Sequence, residues 1–250
     1  MKVFIITEGN AKTGYGHLTR CLAIYQGFEE RNIFPEMITN CDNNGKKILG
    51  NIKLSIYDWI FDNNKLLNQI SGADIAIIDS YLADLQLYHN ISKAVTKAVY
   101  IDDNIRLEYP PGIIINGSVG AENLPYKKDD QHEYLLGLDY TPLRKAFWDI
   151  PDRKNNDLIK NVLITIGGSD IRGITFQILN RLLSVFHDFH YHVVLGYNNN
   201  HYNQRKCMEY KINDNVNFYY ELSADQMRDL MLKCDLAITA AGQTTYELIE

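Results

Sequence analysis

Residues 3–21, VFIITEGNAKTGYGHLTRC, contain the pattern that decides the fold class. The stretch opens with an apolar, β-branched run (3–7) of the kind that forms a buried strand. A loop with several glycines (8–16) comes next. The helical stripe that follows it is made of Leu18, Cys21, Leu22 and Tyr25. A strand that leads through such a loop into an amphipathic helix is typical of α/β proteins, in which helices cover both faces of a parallel sheet.

The alternation of strand and helix patterns continues along the chain. Strand patterns occupy 73–80, 97–103 and 112–117, and a helical pattern occupies 84–94. The alternation lapses over 120–160. Strand patterns resume at 161–170, 191–196, 216–222 and 235–242, with a helical pattern at 171–186. We therefore expect two Rossmann-like domains with parallel sheets, residues 1–145 and 158–250. The last helical pattern stops soon after it starts. We expect either a truncated second domain or a longer natural chain.

The composition limits the classes to which the protein can belong and the partners that it can bind. The 250 residues, 46% of them hydrophobic, suffice for one large or two modest globular domains. A net charge of −6 without a basic block argues against nucleic acid as the main partner. No apolar run approaches the length of a membrane span or of a signal-peptide core. Four scattered cysteines are typical of a reducing compartment. We expect a cytoplasmic monomer that does not insert into membranes.

The first candidate site lies where the glycine-containing loop turns into the helix. Thr19 stands where a dinucleotide-binding fingerprint needs its third glycine, which excludes that motif. Ligands of open α/β sheets bind beyond the carboxyl ends of the strands, so Gly14 and Gly16 are candidate substrate contacts. The positive helix end and Arg20 both disfavour imidazolium, which predicts a neutral His17 that can act as a general base. A histidine that caps the helix or packs in the loop fits the residues equally well.

Two later strand ends carry acidic side chains. Asp79 and Tyr81 follow the run 73–80 and are predicted to contact substrate at the rim of a cleft. Asp102 and Asp103 are adjacent but lack the D-x-D spacing of metal-dependent sugar transferases, which favours a capping or loop-ordering role.

Histidines in the second half form the other candidate metal cluster. In HDFHYH (187–192), only His190 and His192 would share a face, and a third ligand is not evident. Surface histidines are the favoured interpretation. The sequence therefore predicts neither a metal site nor a cofactor.

The second domain carries candidate nucleotide contacts at two strand-to-helix turns. Gly168 and Ser169 offer backbone N–H groups to an anion, although an ordinary strand-to-helix turn would have the same sequence pattern. Gly242, Gln243 and Thr244 begin a helix after small residues and suit a diphosphate. Glu247 could accept hydrogen bonds from ribose hydroxyls. Alternatively, Thr244 and Glu247 form a capping box, since their spacing is T-x-x-E.

Six segments in this order resemble a known family. They are GYGHLTRC, DSY, IDD, LLGLDYTPLRKAF, LITIGGSD and TAAGQTTYELIE. Together they resemble the UDP-sugar hydrolases of pseudaminic acid biosynthesis (PseG), which are related to the SpsG-type spore-coat polysaccharide proteins and, more distantly, to MurG-like glycosyltransferases. The resemblance runs over essentially the whole chain.

This resemblance implies a GT-B fold, with the active site in a cleft between two Rossmann-like domains. It also implies metal-independent release of UDP from UDP-2,4-diacetamido-2,4,6-trideoxy-β-L-altropyranose, by a water that His17 activates and with inversion. His17 and Arg20 match the histidine and arginine of the family, and AGQTTYE matches its nucleotide-binding end. Two alternatives remain open at this point: a GT-B glycosyltransferase that uses a UDP-sugar, and a nucleotide-sugar-binding protein without catalytic activity.

Overall fold

The computed structural model describes residues 1–127, 129–151, 156, 158–168, 170, 172–196, 201–210 and 213–249. The chain divides into two compact units. The first unit comprises Met1–Asn10 and His17–Arg144, and the second comprises Ala11–Gly16 and Lys145–Glu250. None of the described helices combines the length and the hydropathy that a membrane span requires.

The first unit is built on a parallel sheet of seven strands in the order β3-β2-β1-β4-β5-β6-β7. Its strands are β1 (Val3–Gly9), β2 (Glu36–Cys41), β3 (Leu54–Ile56), β4 (Ala73–Asp79), β5 (Val95–Ile101), β6 (Gly112–Asn116) and β7 (His132–Leu136). Its helices are α1 (Gly16–Glu29), α2 (Asn43–Leu49), α3 (Asn63–Ile70) and α4 (Leu85–Ala94). Because β1 is paired on both sides, all seven of its residues are buried.

The second unit has a parallel sheet of four described strands in the order β10-β9-β8-β11. Its strands are β8 (Asn161–Thr165), β9 (His190–Leu195), β10 (Val216–Tyr220) and β11 (Leu236–Thr239). Its helices are α5 (Ile174–Leu183), α6 (His201–Glu209), α7 (Ala224–Met231) and α8 (Gln243–Glu247). Both units therefore have the α/β architecture that the sequence predicts.

Local side-chain bonds explain where several helices begin. Asp84 precedes α4 and accepts a hydrogen bond from Leu87 N at 2.8 Å. Ser223 and Gln226 form a reciprocal capping box at the start of α7. Each bond satisfies a backbone N–H that the first turn of a helix leaves without a partner.

The sequence analysis located most strands correctly but misjudged the end of β1. The runs at 3–7, 73–80, 97–103 and 112–117 correspond to β1, β4, β5 and β6, which confirms those strands. However, β1 continues to Gly9 and buries Glu8, so the loop starts later than predicted. The prediction was wrong here because a glutamate reads as a loop residue, whereas pairing with β2 carries it into the sheet.

Candidate functional site

The carboxyl ends of three neighbouring strands, β1, β4 and β5, converge on the start of α1. Asp79 is the last residue of β4, and Asp103 lies just beyond β5. His17 and Arg20 lie in the first turns of α1 and meet these carboxylates. We call the group formed by His17, Arg20, Asp79, Tyr81 and Asp103 the histidine cluster. It lies within the first unit.

The bond between His17 and Asp79 fixes the orientation of the imidazole. Nδ1 of His17 lies 2.6 Å from Oδ1 of Asp79, whose side chain is completely buried. A carboxylate only accepts hydrogen bonds, so Nδ1 carries the proton and donates it. In the neutral ring Nε2 is then an acceptor, and within the described residues no hydrogen bond reaches it. This is the tautomer that a general base requires.

Arg20 holds two carboxylates at once. Its Nε and Nη2 each donate to Asp79 at 2.8 Å, and its Nη1 donates to Asp103 at 2.5 Å. Burial alone would raise the pKa of Asp79, but the charge and hydrogen bonds of Arg20 together with the bond to His17 outweigh it, and the pKa falls to about 2. Arg20 therefore orients Asp79, and its guanidinium is already committed to two carboxylates.

The predicted direction of the pKa shift of His17 was wrong. Burial by itself lowers the pKa of His17, but the hydrogen bond and charge of Asp79 outweigh it, so the pKa is raised above its usual value. Arg20 does lower this pKa as predicted, but the contribution of Asp79 exceeds it. The cluster therefore stabilises the imidazolium, the form that a base becomes after it has taken a proton.

Asp79 also differs from its prediction as a substrate contact. Its side chain has no exposed surface, and both carboxylate oxygens already accept bonds from His17 and Arg20. Asp79 therefore acts on a ligand only through His17 and Arg20. The sequence shows that a carboxylate ends β4, but its burial depends on how α1 packs against the strand.

Tyr81 lies directly against the imidazole. The centroids of the Tyr81 and His17 rings are 4.6 Å apart, edge to face, and the Tyr81 hydroxyl donates to Asp103. The tyrosine itself is half exposed. Tyr81 is thus the member of the cluster that offers an accessible surface beside His17.

Asp103 is a member of the cluster that the sequence analysis assigned to loop ordering. That role belongs to Asp102, which accepts bonds from the backbone N–H groups of Ile105 and Arg106 and holds Ile105 at a φ of 57°. Asp103 instead joins Arg20 and Tyr81. The two neighbours face different partners, which a sequence of two aspartates cannot reveal.

The two loop glycines have open space around them. Gly14 has a φ of +85°, a conformation that favours glycine, and a Cβ added at Gly14 or Gly16 would meet no atom within 4 Å. Their proposed role as substrate contacts is compatible with this space.

The turn after β8 is more crowded than the sequence suggested. A Cβ added at Gly168 would lie 3.0 Å from the Tyr15 ring, and one added at Gly196 would lie 2.3 Å from the Gly168 carbonyl oxygen. Asp170 accepts from Ile174 N and Thr175 N at 2.9 and 2.8 Å, so a carboxylate already occupies the start of α5. Ser169 lies outside the described residues.

The last helix contradicts the capping-box alternative. Helix α8 begins at Gln243 with Gly242 as its N-cap, and no side chain caps it. Thr244 is therefore inside the first turn and cannot serve as the N-cap partner of Glu247. Glu247 is only 3% exposed and lines a cavity of about 510 Å³ together with Leu248 and Met231.

Metal-ligating side chains are dispersed in the described part of the chain. No group of three or more His, Cys, Asp or Glu residues there is arranged to hold a metal ion. His192 is bonded to the Tyr219 hydroxyl at 2.9 Å, and burial lowers its pKa.

Three relatives match the chain over nearly its full length. The chain is 31% identical over 272 aligned residues to an uncharacterized protein of Methanocaldococcus jannaschii, MJ1062. This alignment covers all of the chain and 54% of MJ1062. It is 26% identical over 251 residues to the pseudaminic acid cytidylyltransferase and UDP-2,4-diacetamido-2,4,6-trideoxy-β-L-altropyranose hydrolase of Helicobacter pylori, covering 99% of the chain and 42% of the relative. Identity to the spore coat polysaccharide biosynthesis protein SpsG of Bacillus subtilis is 24% over 258 residues, covering all of the chain and 74% of SpsG.

The chain thus spans about half the length of the first two relatives. No family model matches it. The alignments to the Helicobacter pylori and Bacillus subtilis proteins confirm the resemblance to the PseG and SpsG proteins that the motifs suggest.

Solved structures decide the fold. MurG of Acinetobacter baumannii matches with a TM-score of 0.59 at 11% identity, over 98% of this chain and 74% of MurG. HepE of Anabaena, solved with UDP and glucose, matches with a TM-score of 0.58 at 11% identity, over 95% of this chain and 73% of HepE. The fold is GT-B.

Within this GT-B chain, the predicted site residues fall into two groups. His17, Arg20, Asp79 and Tyr81 come together in the histidine cluster of the first unit. The described residues of the predicted nucleotide site are in the second unit; they are Gly168, Gly242, Gln243, Thr244 and Glu247. Gly14 and Gly16, the predicted substrate contacts of the loop, also belong to the second unit.

Proposed function

We propose that the chain hydrolyses a UDP-linked deoxy-diacetamido sugar, releasing UDP and the free sugar, in the biosynthesis of pseudaminic acid or of a surface polysaccharide. The observation that carries the proposal is the bond from His17 Nδ1 to the buried Asp79, which leaves Nε2 to accept a proton from water. The name of the Helicobacter pylori relative, which includes a UDP-sugar hydrolase, supports the choice of reaction.

The chemistry needs one base and one stabilised leaving group. Nε2 of His17 accepts a proton as the water oxygen attacks the anomeric carbon. The bond from that carbon to the diphosphate oxygen breaks, and UDP leaves with the bonding electrons. Asp79 stabilises the imidazolium that results. Attack from the side opposite to UDP inverts the anomeric carbon.

We assign UDP binding to the second unit, through Gly168, Ser169 and the start of α8. Gly242, Gln243 and Thr244 would meet the diphosphate, and Glu247 would meet the ribose. The start of α8 has no side-chain cap, whereas Asp170 already satisfies two backbone N–H groups at the start of α5, and this difference favours α8. The Tyr81 surface and the space around Gly14 and Gly16 would meet the sugar.

The proposal is tested by UDP release in the absence of an acceptor. The chain is incubated with UDP-2,4-diacetamido-2,4,6-trideoxy-β-L-altropyranose or with UDP-N-acetylglucosamine, in water and with EDTA present. We expect UDP and free sugar in equal amounts from the first substrate, at a rate that Mg²⁺ does not raise, because His17 and the helix donors supply the catalysis. UDP release that requires an added acceptor would support a glycosyltransferase, and binding without turnover would support a binding protein.

The ribose contact is tested at Glu247. Glu247→Gln keeps the size of the side chain but removes the charge that strengthens hydrogen bonds to hydroxyls. We expect it to weaken UDP binding roughly tenfold or more, and to leave pyrophosphate binding within a factor of about two. Glu209→Gln, an exposed glutamate of α6 paired with Lys206, is the matched control. Equal calorimetric affinity of the parent and Glu247→Gln for UDP would assign Glu247 a purely structural role.

A further inference from the structure

A buried carboxyl next to the histidine cluster has no part in the proposed reaction. Glu8, near the end of β1, is only 2% exposed. Its Oε1 accepts two hydrogen bonds, from Ser80 Oγ at 2.9 Å and from Tyr81 N at 3.0 Å. Its Oε2 is buried and has no hydrogen-bond partner among the residues that the structure describes. Such an arrangement is costly for an ionised carboxylate, which needs donors on both oxygens.

The two bonds to Glu8 support the turn that carries Tyr81. Ser80 Oγ, which donates to Glu8, accepts in turn from Leu82 N at 3.1 Å and from Ala83 N at 3.0 Å. The Glu8 carboxyl, the Ser80 hydroxyl and the backbone of the turn thus form one chain of hydrogen bonds. The ring of Tyr81, whose backbone N–H is bound by Glu8, packs edge-on against His17. Glu8 is therefore one of the groups that position Tyr81, together with Asp103, which accepts from the Tyr81 hydroxyl.

The surroundings of Glu8 favour its neutral form. Burial raises the pKa of Glu8, and the opposing effects of Ser80, His17 and Tyr81 N–H do not cancel it, while the charge of Asp79 raises it further. A carboxylic acid has one carbonyl oxygen that accepts and one hydroxyl. The two donors on Oε1 fit the carbonyl oxygen of the acid; a hydroxyl at Oε2 finds no acceptor among the described residues, but it costs less to bury unpaired than a charged oxygen does.

We propose that Glu8 is a positioning residue of the histidine cluster: as a neutral carboxylic acid it fixes the Ser80–Tyr81 turn and so holds the edge of Tyr81 against His17. The inference rests on the proposed function only where kcat for the UDP-sugar is measured. The position of the Tyr81 ring beside His17 can be tested without it. The groups that face His17 in this arrangement are Asp79 from β4, Arg20 from α1, Glu8 from β1 and the Tyr81 ring.

The test compares two substitutions of the same glutamate. Glu8→Gln keeps an oxygen that accepts from Ser80 and Tyr81 and is uncharged, like the neutral acid. Glu8→Ala removes both bonds. The first readout is the NMR signal of the His17 ring in ¹³C-histidine-labelled chain, assigned by its loss in His17→Asn. The second is kcat for the UDP-sugar.

We expect the His17 signal of Glu8→Gln to coincide with that of the parent and that of Glu8→Ala to move, because the ring current of Tyr81 then acts on the imidazole differently. We expect kcat to fall about tenfold in Glu8→Ala and to recover to within about threefold of the parent in Glu8→Gln. The control is Glu36→Ala at the start of β2, whose carboxylate bonds Ser55 and Gln69. It should leave the His17 signal in place.

Two results would overturn the proposal. An unmoved His17 signal in Glu8→Ala would show that Tyr81 does not need Glu8, and a signal displaced equally in Glu8→Gln would show that the ionised form is required. If Glu8→Ala does not fold, Glu8→Gln still tests the proposal, because a displaced His17 signal contradicts it and a coincident signal supports the neutral form. A chain that releases no UDP would end the proposed function while leaving the NMR result to judge Glu8.

Discussion

Replacing His17 with asparagine is expected to lower kcat by about 10²–10⁴-fold with little change in KM. Asparagine keeps much of the size of histidine and can donate to Asp79, but it has no nitrogen that accepts a proton from water. The loss is therefore confined to the chemical step. His187→Asn, at an exposed histidine of the second unit, is the matched control and should retain the parental rate.

The pH dependence separates a catalytic His17 from a structural one. Protonation of Nε2 inactivates the base, so kcat of the parent falls as the pH drops through the pKa of His17. Because Asp79 raises this pKa, the acid limb should lie above the ordinary value of 6.5 for histidine. In His17→Asn the limb should be absent. A mutant with near-parental kcat and the same acid limb would assign His17 a structural role.

The second large effect is expected at Asp79. In Asp79→Asn the amide no longer enforces the tautomer with the proton on Nδ1 and no longer stabilises the imidazolium, so kcat should fall by about 10³–10⁴-fold. The remaining activity should have its acid limb at lower pH, since the group that raises the pKa of His17 is gone. The measurement is kcat against pH.

Asp79→Asn should also destabilise the fold. Arg20 would lose one charged partner in a buried environment, which costs about 3–5 kcal/mol in the free energy of unfolding. Asp74→Asn on the same strand is the control, because Asp74 accepts a bond from the exposed Lys2 N. Urea unfolding of both variants checks this cost. An acid limb that stays in place in Asp79→Asn would contradict the proposed coupling of Asp79 to His17.

In the first sheet the sequence predicted β1, β4, β5 and β6 and missed β2, β3 and β7. Strands β1 and β4 are nearly continuous apolar runs, as strands inside a parallel sheet are. Strand β2 reads EMITNC, and the edge strand β7 reads HEYLL. Their polar positions obscured the apolar run on which the prediction relied.

The members of the histidine cluster were predictable only in part. His17 and Arg20 are recognisable because they lie three positions apart at the start of one helix. Their partners come from elsewhere in the chain: Asp79 is 62 positions from His17, and Asp103 is 83 positions from Arg20. Burial and pairing at such separations decide the direction of the pKa shift of His17, and no local pattern reports them. The sequence-based sign was wrong for that reason.

The interior position of β1 has a consequence for synthesis. Strand β1 is synthesised before both of its partners, and it needs β2 on one edge and β4 on the other. His17 and Asp79 are 62 positions apart, so at about 5–20 residues per second translation takes roughly 3–12 s to deliver the partner of the histidine. During that interval one apolar edge of the nascent chain is open to wrong pairing. Chaperone demand and codon choice should therefore affect the yield of this protein most strongly over the codons that encode residues 3–79.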